Sequence, residues 1–68
     1  MERTPLPTSR SIISAGWEDG TLEIEFNNGK VYQAFDVPQE VYTALIYSPS
    51  PGRYFNAMIE PNYTFTME

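Results

Sequence analysis

The run Ser50-Pro51-Gly52-Arg53-Tyr54-Phe55-Asn56 carries the side chains of this sequence that are best suited to holding a ligand. The guanidinium of Arg53 offers a fork of donors that matches a phosphate group. The ring of Tyr54 can stack on a nucleobase, and the amide of Asn56 can hydrogen-bond to a base edge. We therefore interpret this run as a candidate binding site for a nucleotide-like anion.

Arg10 and Trp17 are further candidate ligand-binding residues, because they add a cation and a stacking surface. A structural role is the alternative for several of the candidates. Trp17 and Tyr54 can be core aromatics, and Asn56 can fix a loop through hydrogen bonds to the backbone. Gly52 is expected to serve the backbone geometry near a helix start rather than to contact a ligand.

The composition argues against catalysis and against metal binding. The 68 residues include no cysteine and no histidine. Thiol nucleophiles, imidazole bases and zinc sites built on these residues are therefore excluded. Glu18, Asp19 and Asp36 lack the spacing of a calcium-binding loop. We expect a protein that is not an enzyme and that has no cofactor and no metal site.

The charge balance limits the kind of nucleic acid that the chain can bind. The formal net charge is −5, with nine carboxylates against only four cations. General duplex-DNA binders neutralise several phosphates with clustered lysines and arginines. Cations spread this thinly cannot form such a patch, whereas one or two arginines can hold a single small anion.

The sequence gives no sign of a membrane segment. No apolar run approaches the roughly 20 residues of a transmembrane helix. The first five residues, Met1 to Pro5, do not resemble the apolar core of a signal peptide. We expect a cytoplasmic protein without membrane association. Because oligomerisation often supplements a core this small, a homo-oligomer is also considered.

Two strands are predicted in the first half of the chain. Residues 1–8 show no periodicity and are predicted to form a flexible arm. Strands follow at residues 11–17 and 21–26, separated by an Asp-Gly turn. Apolar and polar residues alternate strictly in the second strand, so Glu23 and Glu25 are expected on a solvent-exposed face.

The loop Asn27-Asn28-Gly29 is predicted to close a hairpin with a third strand, and its length decides the register. A three-residue loop with a glycine bulge places Tyr32 and Ala34 on the core face. A two-residue loop places Gln33 there instead. We favour the three-residue loop, because a glutamine is the less comfortable core residue.

Two helices are predicted after this strand, over residues 39–47 and 50–59. The second helix begins with Ser-Pro, which suits an N-cap followed by the first helical position. Phe55, Met58 and Ile59 are spaced i, i+3, i+4, so we expect them to share its core face.

A last short strand is predicted near residues 63–67, where aromatic and apolar residues alternate with threonines. The order of elements predicts an α+β fold, in which a small antiparallel sheet of three to four strands has two short helices packed on one face. The expected domain is a single unit over residues 9–68.

Together these residues resemble the KTSC family, which is named for a domain at the C-terminus of some lysyl-tRNA synthetases. The resemblance extends from about Ser9 to Tyr63, and its most specific part is the run Ser-x-Gly-x-Tyr-Phe-Asn. It is carried, in order, by Gly16-Trp17-Glu18, Leu22-Glu23-Ile24-Glu25-Phe26, Gly29, Val31-Tyr32, Val37-Pro38, Val41-Tyr42, Leu45-Ile46, Ser50, Gly52 and Tyr54-Phe55-Asn56.

The resemblance implies a small protein of bacteria or phages, without enzymatic activity, that binds a nucleotide or nucleic acid. Two departures from the family pattern bear on that role. Arg10 stands where the family often has a serine, and Glu60 stands where it often has an arginine. The second change removes a possible anion contact. Both changes weaken the transfer of a nucleic-acid role from the family to this chain.

Two functions are therefore considered. The first is a non-catalytic binding module for a nucleotide or a short nucleic acid, which in a phage could sequester a host nucleotide signal. The second is a protein–protein interaction or homo-oligomerising module. The acidic charge favours the second, whereas the cluster of Arg53, Tyr54 and Asn56 favours the first.

Overall fold

A five-stranded antiparallel sheet forms the centre of the protein. The structure is a computed structural model and describes residues 1–67. The strands follow one another in the sheet in chain order. They are β1 (Thr4–Pro5), β2 (Ile12–Glu18), β3 (Thr21–Phe26), β4 (Val31–Ala34) and β5 (Phe65–Met67).

Turn chemistry fixes the register of both central hairpins. Between β2 and β3, Asp19 and Gly20 have φ values of +50° and +86°, as a type I′ turn requires. Between β3 and β4, Gly29 has a φ of +84° and closes a three-residue loop. Ile24 consequently lies opposite Tyr32. The predicted three-residue loop and its register are confirmed.

Two helical segments pack on one face of the sheet, as expected for the α+β fold. Helix α1 spans Gln39–Ile46. Helix α2 spans Pro51–Tyr54 and continues into a π-helical turn, Phe55–Ile59, and a 3₁₀ turn, Glu60–Asn62. The buried apolar core between sheet and helices consists of Leu6, Ile12, Ala15, Leu22, Ile24, Ala34, Val37, Leu45, Phe55 and Ile59.

The π-helical turn changes which residues of the second helix face the core. Phe55 and Ile59 are buried, as predicted, but Met58 is 54% exposed. A π-helical turn holds more residues than an α-helical turn, so a residue three positions along rotates away from the core. The prediction that Met58 belongs to the core face was wrong for this reason.

The N-terminal segment belongs to the folded unit. Thr4 lies opposite Ala15 in the ladder between β1 and β2. Leu6 donates its N–H to the carbonyl of Ile13 at 2.9 Å and is buried in the core. The residues predicted as a flexible arm thus contain an edge strand. Counting that strand, the sheet has five strands rather than the expected three to four.

The same segment crosses the second face of the sheet and covers Glu23. A Cβ atom on Gly16 would lie 2.7 Å from the carbonyl oxygen of Glu2, so the backbone of the segment rests directly on β2. Glu23 is only 8% exposed. Its carboxylate accepts a hydrogen bond from Gln33 Nε2 at 2.9 Å and forms an ion pair with Arg3 Nη1 at 3.3 Å.

The expectation that Glu23 faces solvent was therefore wrong. Glu25 is half-buried and accepts a hydrogen bond from Ser14 Oγ at 3.0 Å. Strict alternation correctly placed both carboxylates opposite the core. It gave no information about a distant segment that covers that face.

Replacing Glu23 with alanine should lower the free energy of unfolding by about 1–3 kcal/mol, because the Gln33 amide loses its buried acceptor and Arg3 loses the shorter of its two ion pairs. Glu18→Ala is the matched control, since Glu18 is exposed at the end of β2. Its effect should stay within about 0.5 kcal/mol. Urea denaturation of both variants measures the difference. Equal stability of the two variants would contradict the buried role of Glu23.

Candidate functional site

An open groove of about 590 Å³ lies where the chain entering β2 meets the start of α2. One wall is formed by residues 8–11 and the other by residues 49–53, with Asn56 beside them. We call this the arginine groove, because it brings Arg10 and Arg53 to one cavity. Both arginines are exposed.

Neither arginine of the groove forms an ion pair within residues 1–67. The ion pairs found within residues 1–67 both involve Arg3, on the opposite face of the sheet. In the described part of the chain, the residues lining the groove include no carboxylate. Arg53 and Glu60, the nearest carboxylate after it in the sequence, form no ion pair in the described part of the chain. The guanidinium donors of the groove are therefore available to an external anion.

Hydroxyl groups line the space between the two arginines. Thr8, Ser9, Ser11 and Ser50 all contribute to the groove. Ser9 Oγ accepts a hydrogen bond from the backbone N–H of Ile12 at 3.0 Å. That bond leaves the Ser9 O–H hydrogen free to donate, since a hydroxyl can accept and donate at once. The groove thus combines cationic and neutral donors, an arrangement that suits the acceptor oxygens of a phosphate.

Gly52 allows the two walls of the groove to approach each other closely. A Cβ atom at this position would lie 2.6 Å from Ser11 Oγ, closer than real Cβ atoms tolerate. The backbone of Gly52 does not adopt a positive φ, so the requirement is for space rather than for an unusual conformation. The sequence-based interpretation of Gly52 as a residue of backbone geometry was therefore incomplete.

The groove contains three of the five residues predicted to contact a ligand: Arg10, Arg53 and Asn56. Tyr54 lies outside the lining and packs half-buried against the core. Trp17 also packs against the core, and its indole Nε1 donates a hydrogen bond to the carbonyl of Val37 at 2.7 Å. Both aromatics therefore pack as core residues, which was the alternative to ligand contact in the sequence analysis.

Sequence reasoning missed the hydroxyl wall. Thr8, Ser9 and Ser11 flank Arg10 in an otherwise featureless segment. A signal was present, since three hydroxyls around one arginine form a run of phosphate-compatible donors. It went unused because the run was divided between the predicted arm, residues 1–8, and the predicted first strand, residues 11–17.

A family model, described as the KTSC domain, matches residues 8–63. The chain belongs to the KTSC family. The matched region includes both walls of the arginine groove. Within residues 1–67, no helix of this KTSC domain is both long enough and apolar enough to cross a membrane.

Relatives of this KTSC domain occur both as small proteins and within a large enzyme. An uncharacterized protein of Stutzerimonas stutzeri strain A1501 is 40% identical over 65 residues, covering 93% of this chain and 90% of that protein. A lysine–tRNA ligase of Nostoc punctiforme is 44% identical over 45 residues, or 66% of this chain. The match spans only 8% of the ligase, so it relates this domain to one short region of that enzyme.

The fold of this KTSC domain is also that of a solved structure. The crystal structure of a KTSC domain protein from Yersinia pestis aligns with a TM-score of 0.91 at 28% sequence identity. The alignment covers 98% of this chain and 96% of the Yersinia chain. This structural likeness confirms the expected α+β fold class.

The close approach of Gly52 and Ser11 predicts a dependence of one substitution on the other. Gly52→Ala should lower the free energy of unfolding by about 1 kcal/mol, because its methyl group displaces the Ser11 hydroxyl. In a Ser11→Ala background the same substitution should raise the free energy of unfolding by about 0.5–1 kcal/mol, because alanine is a better helix former than glycine. Thermal or urea unfolding of the four proteins measures both effects. An identical effect of Gly52→Ala in the two backgrounds would show that the walls do not touch.

Proposed function

We propose that this KTSC domain is a non-catalytic binding module whose ligand is a nucleotide or a short nucleic acid, held by its phosphate in the arginine groove. One observation carries the proposal. Arg10 and Arg53 come from distant parts of the chain and line the same groove, whose lining within residues 1–67 contains no carboxylate. Guanidinium groups placed in this way recognise phosphate by charge-assisted hydrogen bonds.

The volume of the groove and the net charge of the protein restrict the class of ligand. A groove of about 590 Å³ falls in the range of small-molecule sites, about 300–1,000 Å³. Long duplexes are unfavourable ligands because the net charge is −5, and duplex binding depends on neutralising many phosphates. The proposal therefore concerns mononucleotides, cyclic nucleotides and short single strands rather than DNA duplexes.

The residues of the groove favour binding over turnover. General acid–base catalysis needs a titratable side chain positioned at the reacting atoms. The groove is lined by arginines, hydroxyl residues, prolines, a glycine and an asparagine. The chain has no histidine or cysteine to add. We propose a cytoplasmic location as well, which fits the lysine–tRNA ligase relative.

The alternative function, protein–protein interaction or homo-oligomerisation, draws on a different observation. Tyr47 is 79% exposed, and Phe35 and Met67 are 56% and 58% exposed. Met67 lies on the edge strand β5, and edge strands can pair with other chains. Analytical ultracentrifugation tests this alternative directly, since a protomer of 7.8 kDa is easily distinguished from its dimer.

Arg53→Ala should weaken the binding of any nucleotide about ten- to a hundred-fold, because one charge-assisted contact contributes about 1.5–3 kcal/mol. The melting temperature of the unliganded protein should hardly change, because Arg53 is exposed and has no ion pair within residues 1–67. Arg10→Ala should behave similarly. A thermal-shift screen against nucleotides, cyclic nucleotides and short RNA identifies the ligand, and calorimetry then measures affinity.

Lys30→Ala is the matched control for these charge deletions. Lys30 is an exposed cation that does not line the groove. Its removal changes the net charge by the same amount as Arg53→Ala. An equal loss of affinity in Lys30→Ala and Arg53→Ala would mean that only the overall charge matters. Unchanged affinity in Arg53→Ala would overturn the phosphate site.

A further inference from the structure

A second groove, of about 400 Å³, adjoins the arginine groove. Its lining includes the rings of Phe26, Tyr32 and Phe65, and we call it the aromatic groove. Ser11 lines both grooves, so the two cavities meet at this residue. A ligand with two chemically different ends that extends past Ser11 would contact both grooves.

Among residues 1–67, the two grooves carry opposite charges. The arginine groove has two guanidinium groups in its lining and, within this range, no carboxylate. In the same part of the chain, the lining of the aromatic groove contains the carboxylate of Glu60 and no cation. A phosphate is attracted to the first and repelled from the second, whereas an uncharged planar group is suited to the second. This division of charge matches the phosphate and the base of a nucleotide, which a single ribose separates.

The rings of the aromatic groove are held in place by one another. Phe26 contacts Tyr32 edge-to-face, with centroids 5.5 Å apart and an interplanar angle of 79°. Phe26 makes a similar contact with the buried Phe55 at 5.4 Å, and Phe55 does so with Phe65 at 5.2 Å. The rings that line the groove are half-buried. These rings are held by contacts with neighbouring rings and also line the groove. They therefore form a stacking surface that needs little ordering when a base binds.

The polar groups of the aromatic groove suggest which bases fit. Asn27 Nδ2 already donates to the carbonyl of Arg10 at 2.9 Å, and Asn28 Oδ1 already accepts from the N–H of Lys30 at 2.9 Å. Glu60 is exposed and has no ion pair within residues 1–67. A carboxylate accepts hydrogen bonds from an exocyclic amino group, such as N4 of cytosine. It has no hydrogen to donate to O4 of uracil.

We infer that the aromatic groove is the base subsite for the nucleotide whose phosphate occupies the arginine groove, and that it favours a base with an exocyclic amino group. The inference rests on the proposed function, because it assumes a phosphate anchored at Arg10 and Arg53. It adds to that function a position for the base and a preference among bases.

Calorimetry with cytidine 5′-monophosphate, uridine 5′-monophosphate and ribose 5-phosphate tests the inference. Ribose 5-phosphate should bind about tenfold more weakly than the cytidine nucleotide, because it lacks a stacked base. Tyr32→Leu should weaken the cytidine nucleotide by a similar factor and leave ribose 5-phosphate unchanged. Phe35→Leu, a change at an exposed ring outside both grooves, should alter neither affinity.

Glu60→Ala provides a test at an exposed position, where folding is not at risk. Wild type should prefer the cytidine over the uridine nucleotide, and this variant should bind the two equally. The inference is overturned if ribose 5-phosphate binds as tightly as the nucleotides, or if Tyr32→Leu weakens every ligand alike. In either case the phosphate site stands as long as Arg53→Ala weakens binding about ten- to a hundred-fold. If no phosphate compound binds wild type, the proposed function fails and the base subsite fails with it.

Discussion

The close approach of Ser11 to Gly52 is the constraint on which the rest of the site depends. It brings the chain that enters β2 against the start of α2, and the neighbouring residues Arg10 and Arg53 thereby reach one groove. Each wall is anchored next to this contact, because Ile12 and Pro51 are fully buried. The donors of the groove are thus attached to rigid backbone before any ligand arrives, which reduces the ordering that binding would require.

Most of the fold follows from local signals in the sequence. Asp19-Gly20 and Gly29 set the two hairpins, and alternation along β3 sets the core face. The features that were not predicted depend on contacts between distant parts of the chain. A two-residue strand, Thr4–Pro5, carries no periodic signal, and its existence depends on pairing with β2. The burial of Glu23 depends in turn on the same N-terminal segment, so one omission produced both differences.

The same distinction between local signals and non-local contacts applies to the residues of the candidate site. Arg53 and Asn56 were recognised from a specific local run, and their placement in one groove needs only the short helical segment that follows Ser50. The function of an aromatic residue is less local, because packing decides whether its ring is buried or available. Trp17 is fixed by a carbonyl twenty residues further along the chain. The rings beside Ser11, by contrast, belong to strands whose apolar character had been attributed to the core alone.

We propose that a phosphate-bearing ligand binds where residues 8–11 meet residues 49–53. A titration of the uniformly ¹⁵N-labelled protein with adenosine 5′-monophosphate tests it at every backbone amide at once. We expect the largest chemical-shift changes at Ser9 to Ser11 and at Ser50, Gly52 and Arg53. Little change is expected at Trp17, near the other end of β2, or at Val37, which accepts its hydrogen bond. Changes centred on Trp17, or no changes at millimolar nucleotide, would contradict it.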